Sequence, residues 1–243
     1  MEPQHRYVIN GVQITSKPPR DRRRPTSRGG HTQTPFQDLP SSPPEPQDSY
    51  IAADVHELER EKHVFGYLDH PADVIITGSG RGFCVALESV VLAMFGYMTD
   101  TALVAARSRR VITVTGNSMT HLLFSVLVEC LYVHSSGSFV AKHVRVSGDV
   151  DVKRLLEARG CVEVTVELYG ERFDREVHTS GTEVKAVTYH GLKIEMTVGS
   201  RAVVFSENPA EAVSPDNLAL LLDSCDASSL SDAYFKVYAL VDI

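Results

Sequence analysis

The sequence predicts an α+β fold in which two amphipathic helices pack on a mostly antiparallel β-sheet. Two long apolar segments with helical spacing lie among about seven segments in which apolar and polar residues alternate. The strands do not alternate with helices in the β-α-β manner that a parallel sheet requires. We therefore expect the helices to cover one face of an antiparallel sheet.

The folded part is predicted to occupy residues 61–243, after a Pro- and Arg-rich tail over residues 1–60. Nine of the twelve prolines lie in that tail, together with the basic cluster RDRRRP and few branched aliphatic residues. Such a segment buries too little apolar surface to offset the entropy of ordering it, so we expect disorder. Residues 199–231 are expected to form a low-complexity insertion with one short helical patch at 217–222.

The segment that follows the tail predicts two strands interrupted at DHPAD. Pro71 lacks a backbone donor and restricts His70 to extended geometry, so a turn or a bulge is expected there. The first helix follows, because apolar residues recur at helical spacing from Phe83 onward. Ser79 is its predicted cap and Gly96 its predicted end.

The remaining elements are one strand, the second helix and a run of strands. RVITVTG is a short β-branched strand, and Asn117 is the predicted cap of the helix after it. The wide apolar stripe of that helix comprises Leu122, Leu123, Val126, Leu127, Cys130 and Leu131. FVAKHVRVSG, CVEVTVELYG, ERFDREVHT, TEVKAVTYHGLKIEM and YFKVYALVDI show the period-two pattern of strands. The turn sequences YGER and TSGTE favour antiparallel hairpins between neighbours.

Composition and motifs disfavour several functional classes. The formal net charge of −7 argues against a folded domain built to bind phosphate backbones. The absence of a secretory signal and of a long apolar run predicts a soluble protein of the cytoplasm or nucleus. The four cysteines have no C-x-x-C spacing, which disfavours a zinc site and predicts three buried thiols and one in the insertion. Nucleophile-elbow, P-loop and zinc-protease motifs are missing.

Carboxylates at predicted strand ends are the remaining candidates for chemistry. Asp73 lies between Ala72 and Val74, and Asp242 follows the apolar strand KVYALV. If the two strands are neighbours, these carboxylates and the terminal carboxylate of Ile243 converge with a charge of about −3, which requires a cation. An all-oxygen donor set suits Ca²⁺, Mg²⁺ or Mn²⁺ better than Zn²⁺. The alternative is that Asp73 caps a turn and Asp242 is a hydrated chain end.

Lys185 is the third candidate. A period of two places Glu183, Lys185, Val187 and Tyr189 on one face of the predicted strand. A lysine in so apolar a strand either lies on a solvated face or is positioned for an anion or a carboxylate. Periodicity does not distinguish these two cases.

Four segments resemble the archease family, the protein cofactors of the RtcB-type RNA ligase that joins tRNA exon halves. They are YLDHPADV, AMFGYMTD at the end of the first helix, HLLFSVLVECLY, and GTEVKAVTYHGLKIEM with the terminal VDI. They occur in the order of the family and cover nearly all of the folded part, without the tail and the insertion.

The resemblance implies an archease-like fold and a non-catalytic activator. Archeases promote guanylylation of the ligase, in which a ligase histidine receives GMP from GTP with a divalent metal, and so allow multiple turnover. The expected partners are therefore an RtcB-type ligase, which uses the GTP, and tRNA indirectly.

The family pattern also assigns roles to residues of this sequence. Asp73 and Asp242 correspond to the acidic metal-site residues, with Ca²⁺ as the expected ion and Mg²⁺ or Mn²⁺ as alternatives. Lys185 corresponds to a functional lysine on the same surface, and Asp69 and His70 belong to the wall expected to contact the partner. Threonine is common in the family where this chain has Pro71, so the local turn is expected to differ.

Two other functions stay open at this point. The same aspartates suit an independent metal-dependent phosphoesterase, which would turn over without any ligase. The arginine-rich tail suits a tRNA-binding module whose affinity falls with salt.

Overall fold

The computed structural model describes residues 63–157, 160–206, 210, 212–225, 229–230 and 232–243, together with the backbone of residues 6–9 and 12–15. The chain divides into two units, residues 1–43 and 44–243. Within the first unit, β1 (Arg6–Ile9) and β2 (Val12–Thr15) pair as an antiparallel hairpin. The rest of the predicted tail lies outside the described residues, so its disorder stays a prediction.

The second unit contains both strands and helices. The strands are β3 (Val64–Asp69), β4 (Val74–Arg81), β5 (Ser108–Gly116), β6 (Phe139–Ser147), β7 (Val162–Arg172), β8 (Ala186–Val187), β9 (Lys193–Val198), β10 (Arg201–Ser206) and β11 (Tyr234–Asp242). The helices are α1 (Phe83–Met98), α2 (Met119–Gly137), α3 (Val152–Leu156) and α4 (Pro215–Ser224), with a 3-10 turn at Thr101–Leu103. None of the described helices combines the length and the apolar character needed to cross a bilayer.

The strands of the second unit form two sheets. The first sheet has the order β10-β9-β11-β4-β3, and β8 also pairs with β11. The second sheet has the order β5-β7-β6. Every pairing is antiparallel. The predicted α+β class is confirmed, and the strands expected in one sheet divide into two.

The two long helices join the sheets in one core. Both α1 and α2 contact strands of each sheet. All six residues of the apolar stripe predicted for α2 are buried. Helix α1 lies so close to β4 that a Cβ atom on Gly78 would lie 2.2 Å from the backbone nitrogen of Val90. Only glycine permits this approach.

The predicted boundaries of α1 are wrong at both ends. Ser79 lies inside β4, and its hydroxyl accepts a hydrogen bond from the Tyr234 hydroxyl at 2.9 Å. The helix begins after Gly82, whose φ of 82° turns the chain out of the strand. It continues through Gly96, where a Cβ atom would lie 3.0 Å from the Tyr67 hydroxyl. Gly96 therefore makes room for a packed ring and does not end the helix.

The predicted cap of α2 is wrong by one residue. Ser118, and not Asn117, is the N-cap, and its hydroxyl accepts the backbone N–H of His121 at 3.1 Å. Both residue types cap helices well, so local preference alone did not separate them.

Two predicted strands between β7 and β11 are wrong in part. Strand β7 continues through the predicted turn YGER to Arg172, and the remainder of ERFDREVHT folds into a turn. The backbone N–H groups of Val177 and His178 donate to the carbonyl of Asp174, at 3.2 and 2.7 Å, instead of to a neighbouring strand. TEVKAVTYHGLKIEM is split into β8 and β9 by a turn at Gly191, which has a φ of 89°.

The predicted insertion begins with ordered structure. Residues 201–206 form β10, which pairs with β9 along its length. The predicted helical patch at 217–222 lies inside α4, which Ser214 caps by accepting the backbone N–H of Asn217. The predicted limits of the domain and the insertion stay predictions.

The four cysteines are free thiols in different surroundings. Cys130 is buried, Cys84 and Cys225 are half-buried, and Cys161 is exposed. The prediction of three buried thiols outside the insertion is therefore confirmed only for Cys130, because Cys84 is half-buried and Cys161 is exposed before the start of β7. Burial raises the pKa of the Cys84 thiol to about 11 and shifts the pKa of Cys130 in the same direction.

Candidate functional site

The strand register brings the predicted site residues to one end of the first sheet. In the pairing of β4 with β11, Val74 lies opposite Val241. Asp73 precedes Val74 and Asp242 follows Val241, so the two aspartates leave the antiparallel strands at the same end. Asp69, the last residue of β3, pairs with Val74 and lies there too. We call Asp69, His70, Asp73 and Asp242 the acidic end.

The turn between β3 and β4 forms one wall of the acidic end. The predicted interruption at DHPAD is present, because the two strands are separated by residues 70–73, of which 71–73 form bends. Nδ1 of His70 lies 3.5 Å from Oδ2 of Asp73. The Asp73 side chain is only 21% exposed, whereas the preceding residues 69–72 are exposed. The imidazole therefore lies beside a partly covered carboxylate.

Lys185 reaches the same end through its backbone. Its N–H donates to the carbonyl of Asp242 at 2.8 Å, and the next residue, Ala186, pairs with Asp242 in the sheet. Lys185 itself is exposed. The strand itself, β8, comprises only Ala186 and Val187. The buried residues near Lys185 are Val184 and Val187, which are three positions apart. The predicted period-two face from 183 to 189 is therefore wrong.

The donor set of the acidic end suits a hard cation but is small. Among the described residues, no group of three or more His, Cys, Asp and Glu side chains is placed to hold a metal ion. Asp73 and Asp242 supply carboxylate oxygens, which calcium and magnesium prefer. Ca²⁺ takes six to eight oxygen ligands, so two aspartates alone leave most positions to the half-buried Ile243, to backbone oxygens, to water or to a partner.

The segment that carries Lys185, residues 173–185, is fixed by contacts that the sequence did not indicate. His178 is buried, with Nε2 3.2 Å from Oε1 of Glu171, and its Nδ1 accepts the backbone N–H of Asp174 at 2.8 Å. The hydroxyl of Thr99 donates to the carbonyl of Thr179 at 2.8 Å. These contacts tie the segment to β7 and to the end of α1.

Two further backbone hydrogen bonds continue the attachment toward the site. The N–H groups of Gly181 and Thr182 donate to the carbonyls of Met98 and Tyr97, at 2.8 and 3.1 Å. The path from His178 to Lys185 is thus held at several points against α1. The segment ERFDREVHT was predicted as a strand. Its pattern of polar and apolar residues did not indicate that His178 would be buried in a turn.

Glu88 was also missed from the sequence, although it lies in the apolar run of α1. Its side chain is 5% exposed. Its Oε1 accepts the backbone N–H of Val146 in β6 at 2.7 Å, and its Oε2 lies 3.0 Å from Nε2 of His63. This carboxylate links the helix to the second sheet and to the start of β3. The signal that was available is a charged residue inside the apolar segment CVALESVV.

Known proteins share much of this sequence. A family model described as the archease protein family matches residues 65–205. This range contains Asp69, His70, Asp73 and Lys185 and ends before Asp242. The chain is 37% identical over 139 residues to an archease-like protein of Caenorhabditis briggsae, which covers 57% of this chain and 83% of the relative.

A second relative and one solved structure are similar too. Protein archease of Pyrococcus furiosus is 36% identical over 129 residues, which are 53% of this chain and 86% of the relative. The solution structure of protein 1598 of Methanobacterium thermoautotrophicum has a TM-score of 0.48 and 23% sequence identity. That comparison covers 74% of this chain and 98% of the other.

Proposed function

This chain belongs to the archease family, and from that premise we propose that it is a protein cofactor of an RtcB-type RNA ligase in tRNA splicing. Membership in the family supports a cofactor role in tRNA ligation in general terms. Our proposal is finer: the chain catalyses no reaction itself, and its acidic end promotes guanylylation and multiple turnover of the ligase.

The register of β11 is the observation that supports this proposal most strongly. Strand β11 pairs with β4 on one side and with β8 on the other. It therefore brings Asp73, Asp242 and Lys185 together from segments that are far apart in the chain. Asp69, His70, Asp242 and Lys185 are exposed at this end of the sheet, which suits contact with another protein.

A divalent cation is part of the proposal. Asp73 and Asp242, with the predicted terminal carboxylate of Ile243, are the residues that would hold Ca²⁺, or Mg²⁺ or Mn²⁺. When bound, the ion would compensate the negative charge that these residues collect. The small number of protein ligands suggests that water or groups of the ligase complete its coordination.

The residues of this chain supply positioning and charge. His70 lies beside Asp73 within the acidic end. The backbone hydrogen bond from Lys185 to the carbonyl of Asp242 fixes the start of β8 beside β11. The exposed amine of Lys185 is placed for a phosphate or a carboxylate of the partner. Asp69 and His70 form the outer wall that meets the ligase. Docking of this surface would bias the ligase toward the state in which it reacts with GTP.

The test is multiple-turnover ligation of a split tRNA by the cognate ligase with GTP and Mn²⁺. We expect the full chain to raise turnover. Asp73→Asn and Asp242→Asn should each lower the activation by about tenfold or more, because each variant removes a charge with which the site binds a cation or the ligase. Ligase guanylylation measured with labelled GTP should fall in parallel.

Asp232→Asn is a matched control for these variants. Asp232 is an exposed aspartate beside β11 at the opposite end, where Tyr234 pairs with Arg81. This variant should activate like the wild type. Full activation by both acidic-end variants would refute the site, and turnover of a phosphate ester by the chain without ligase would favour the phosphoesterase instead.

A further inference from the structure

Strand β3 is an edge strand that exposes apolar side chains on both faces. Val64, Phe65, Tyr67 and Leu68 are 58%, 43%, 41% and 48% exposed. Phe65 and Tyr67 lie on the side of α1, and Tyr67 donates its hydroxyl to the carbonyl of Ala93 at 2.9 Å. Successive side chains of a strand alternate between the two faces of the sheet, so Val64 and Leu68 lie on the face opposite to Phe65 and Tyr67. Until Asp69 the strand carries no charge and no proline.

The backbone of β3 is open on one side within the described residues. The hydroxyl of Thr77 donates to the carbonyl of Gly66 at 3.1 Å, so Gly66 faces β4. Backbone groups alternate along a strand, and those of Phe65 and Tyr67 therefore point away from the sheet. Among the described strands, β3 pairs only with β4.

The outer strands β10, β6 and β5 are each protected in a different way, and the outer strand β8 has only two residues. A backbone N–H from Val213 donates to β10 at 2.7 Å. Glu88 accepts the outward N–H of Val146 on β6. Strand β5 carries two consecutive arginines, Arg109 and Arg110. Proteins cover or charge their edges because an open apolar edge pairs with other chains. Among the described residues, the edge of β3 has none of these kinds of protection, and this difference requires an explanation.

The chemistry of this edge fits a polypeptide in extended conformation. A strand added to β3 would take up the outward N–H and C=O groups and cover apolar side chains on both faces. The rings on the α1 side are already packed together. The centroid of the Tyr67 ring lies 5.3 Å from that of Tyr97 and 6.4 Å from that of Phe65. Burial, and to a smaller extent Tyr97, raises the pKa of Tyr67. These side chains would therefore lose little conformational entropy when a partner binds.

The location of β3 beside the acidic end indicates which polypeptide would bind to its edge. Strand β3 runs directly into Asp69 and His70, so its open edge continues into the acidic end. A protein that contacts the acidic end reaches this edge without leaving the surface. We propose that an extended segment of the partner ligase adds to β3 as a further strand of the first sheet, an inference that rests on the proposed function.

The first test is hydrogen exchange of the full chain, resolved at single residues, with and without the ligase. The amides of Phe65 and Tyr67 should exchange fast in the chain alone and become protected when the ligase is added. Protection that is already present without ligase would overturn the proposal. If it grows with protein concentration, a second copy occupies the edge; if it does not, another segment of this chain does.

The second test uses charge on the exposed positions of the edge. Val64→Lys with Leu68→Lys should weaken ligase binding about tenfold or more, because each lysine would have to be desolvated against the added strand. The matched control is Val111→Lys, an equally apolar position that is 52% exposed on β5. Binding is measured by titration calorimetry, and circular dichroism shows that the variants fold.

These outcomes separate the two proposals. If the wild type binds and activates the ligase but the β3 variants bind equally well, the edge proposal fails and the acidic-end function stands. If the wild type neither binds nor activates the ligase, both fail. Ligase-dependent protection at β3, together with weaker binding of the β3 variants but not of Val111→Lys, supports both.

Discussion

Two groups of carboxylates in this protein differ in where their hydrogen bonds go. Both oxygens of the buried Glu88 have partners inside the fold, the N–H of Val146 and the ring of His63. Among the described residues, Asp73 at the acidic end has only the long contact with His70, and no side chain bonds to the Asp242 carboxylate. A carboxylate with internal partners stabilises the fold, whereas one without them is available to a cation or another protein.

Glu171 belongs with Glu88 in this comparison. Its Oε1 accepts the N–H of Ala105 at 2.7 Å and lies 3.2 Å from the ring of His178, and its Oε2 lies 3.4 Å from Arg107. The contacts of Glu171 hold the start of the segment that carries Lys185. Glu171 thus helps to hold the segment that carries Lys185, whereas Glu88 joins α1 to β6 and to His63.

The largest effect on stability is expected from Glu88→Ala. The variant leaves the N–H of Val146 and the ring of His63 without their partner in the core, which costs about 2–4 kcal/mol of unfolding free energy. Urea denaturation followed by circular dichroism measures the change. The control Glu129→Ala, at a half-exposed position of α2, should stay within about 0.5 kcal/mol. Equal effects of the two variants would contradict the structural role of Glu88.

His178→Ala tests whether the buried contacts position the site. Loss of a buried ring with two hydrogen-bonding partners should cost about 2 kcal/mol of unfolding free energy. The amides of Gly181 and Thr182 should also exchange faster, because the segment before Lys185 loses an anchor. The exposed His190→Ala is the control. Unchanged exchange at both amides would show that the segment is held without His178.

The smallest effect on stability is expected at the acidic end itself. The double variant Asp73→Asn with Asp242→Asn should change the unfolding free energy by less than about 0.5 kcal/mol, because Asp242 is exposed and the partly covered Asp73 has only a 3.5 Å contact with His70 among the described residues. The same urea titration measures it. A loss as large as that of Glu88→Ala would place these aspartates among the structural carboxylates and remove the contrast between the two groups.

The elements that were predicted well are those with a long and regular pattern. The stripe of α2 is buried as predicted, and the segments of β6, β7 and β11 form strands. Strand β6 nevertheless has an irregularity between Ala141 and His143, and β7 continues through its predicted turn. The errors lie where a single residue decides. Gly96 was interpreted as a helix end because glycine often is one, but here it makes room for the ring of Tyr67.

The candidate site could be predicted in parts but not assembled. Asp73, Asp242 and Lys185 were each recognised as polar groups next to apolar strands, and the sequence alone left their solvated alternatives open. Their meeting depends on β11 lying between β4 and β8, which are distant from it in the chain. The roles of Glu88 and His178 were missed for a related reason. Their partners lie on other elements and leave no periodic trace around the residue itself.

The sequence by itself determined the type of each long element, the break at Pro71 and the chemical character of the strand ends. These depend on local preference and on the alternation of apolar residues, which a single segment records. Only the tertiary structure decided which strands are neighbours, which carboxylates find partners and which sheet edge is open within the described residues. Those outcomes depend on how distant faces pack together, because burial and hydrogen bonding are properties of the assembled core.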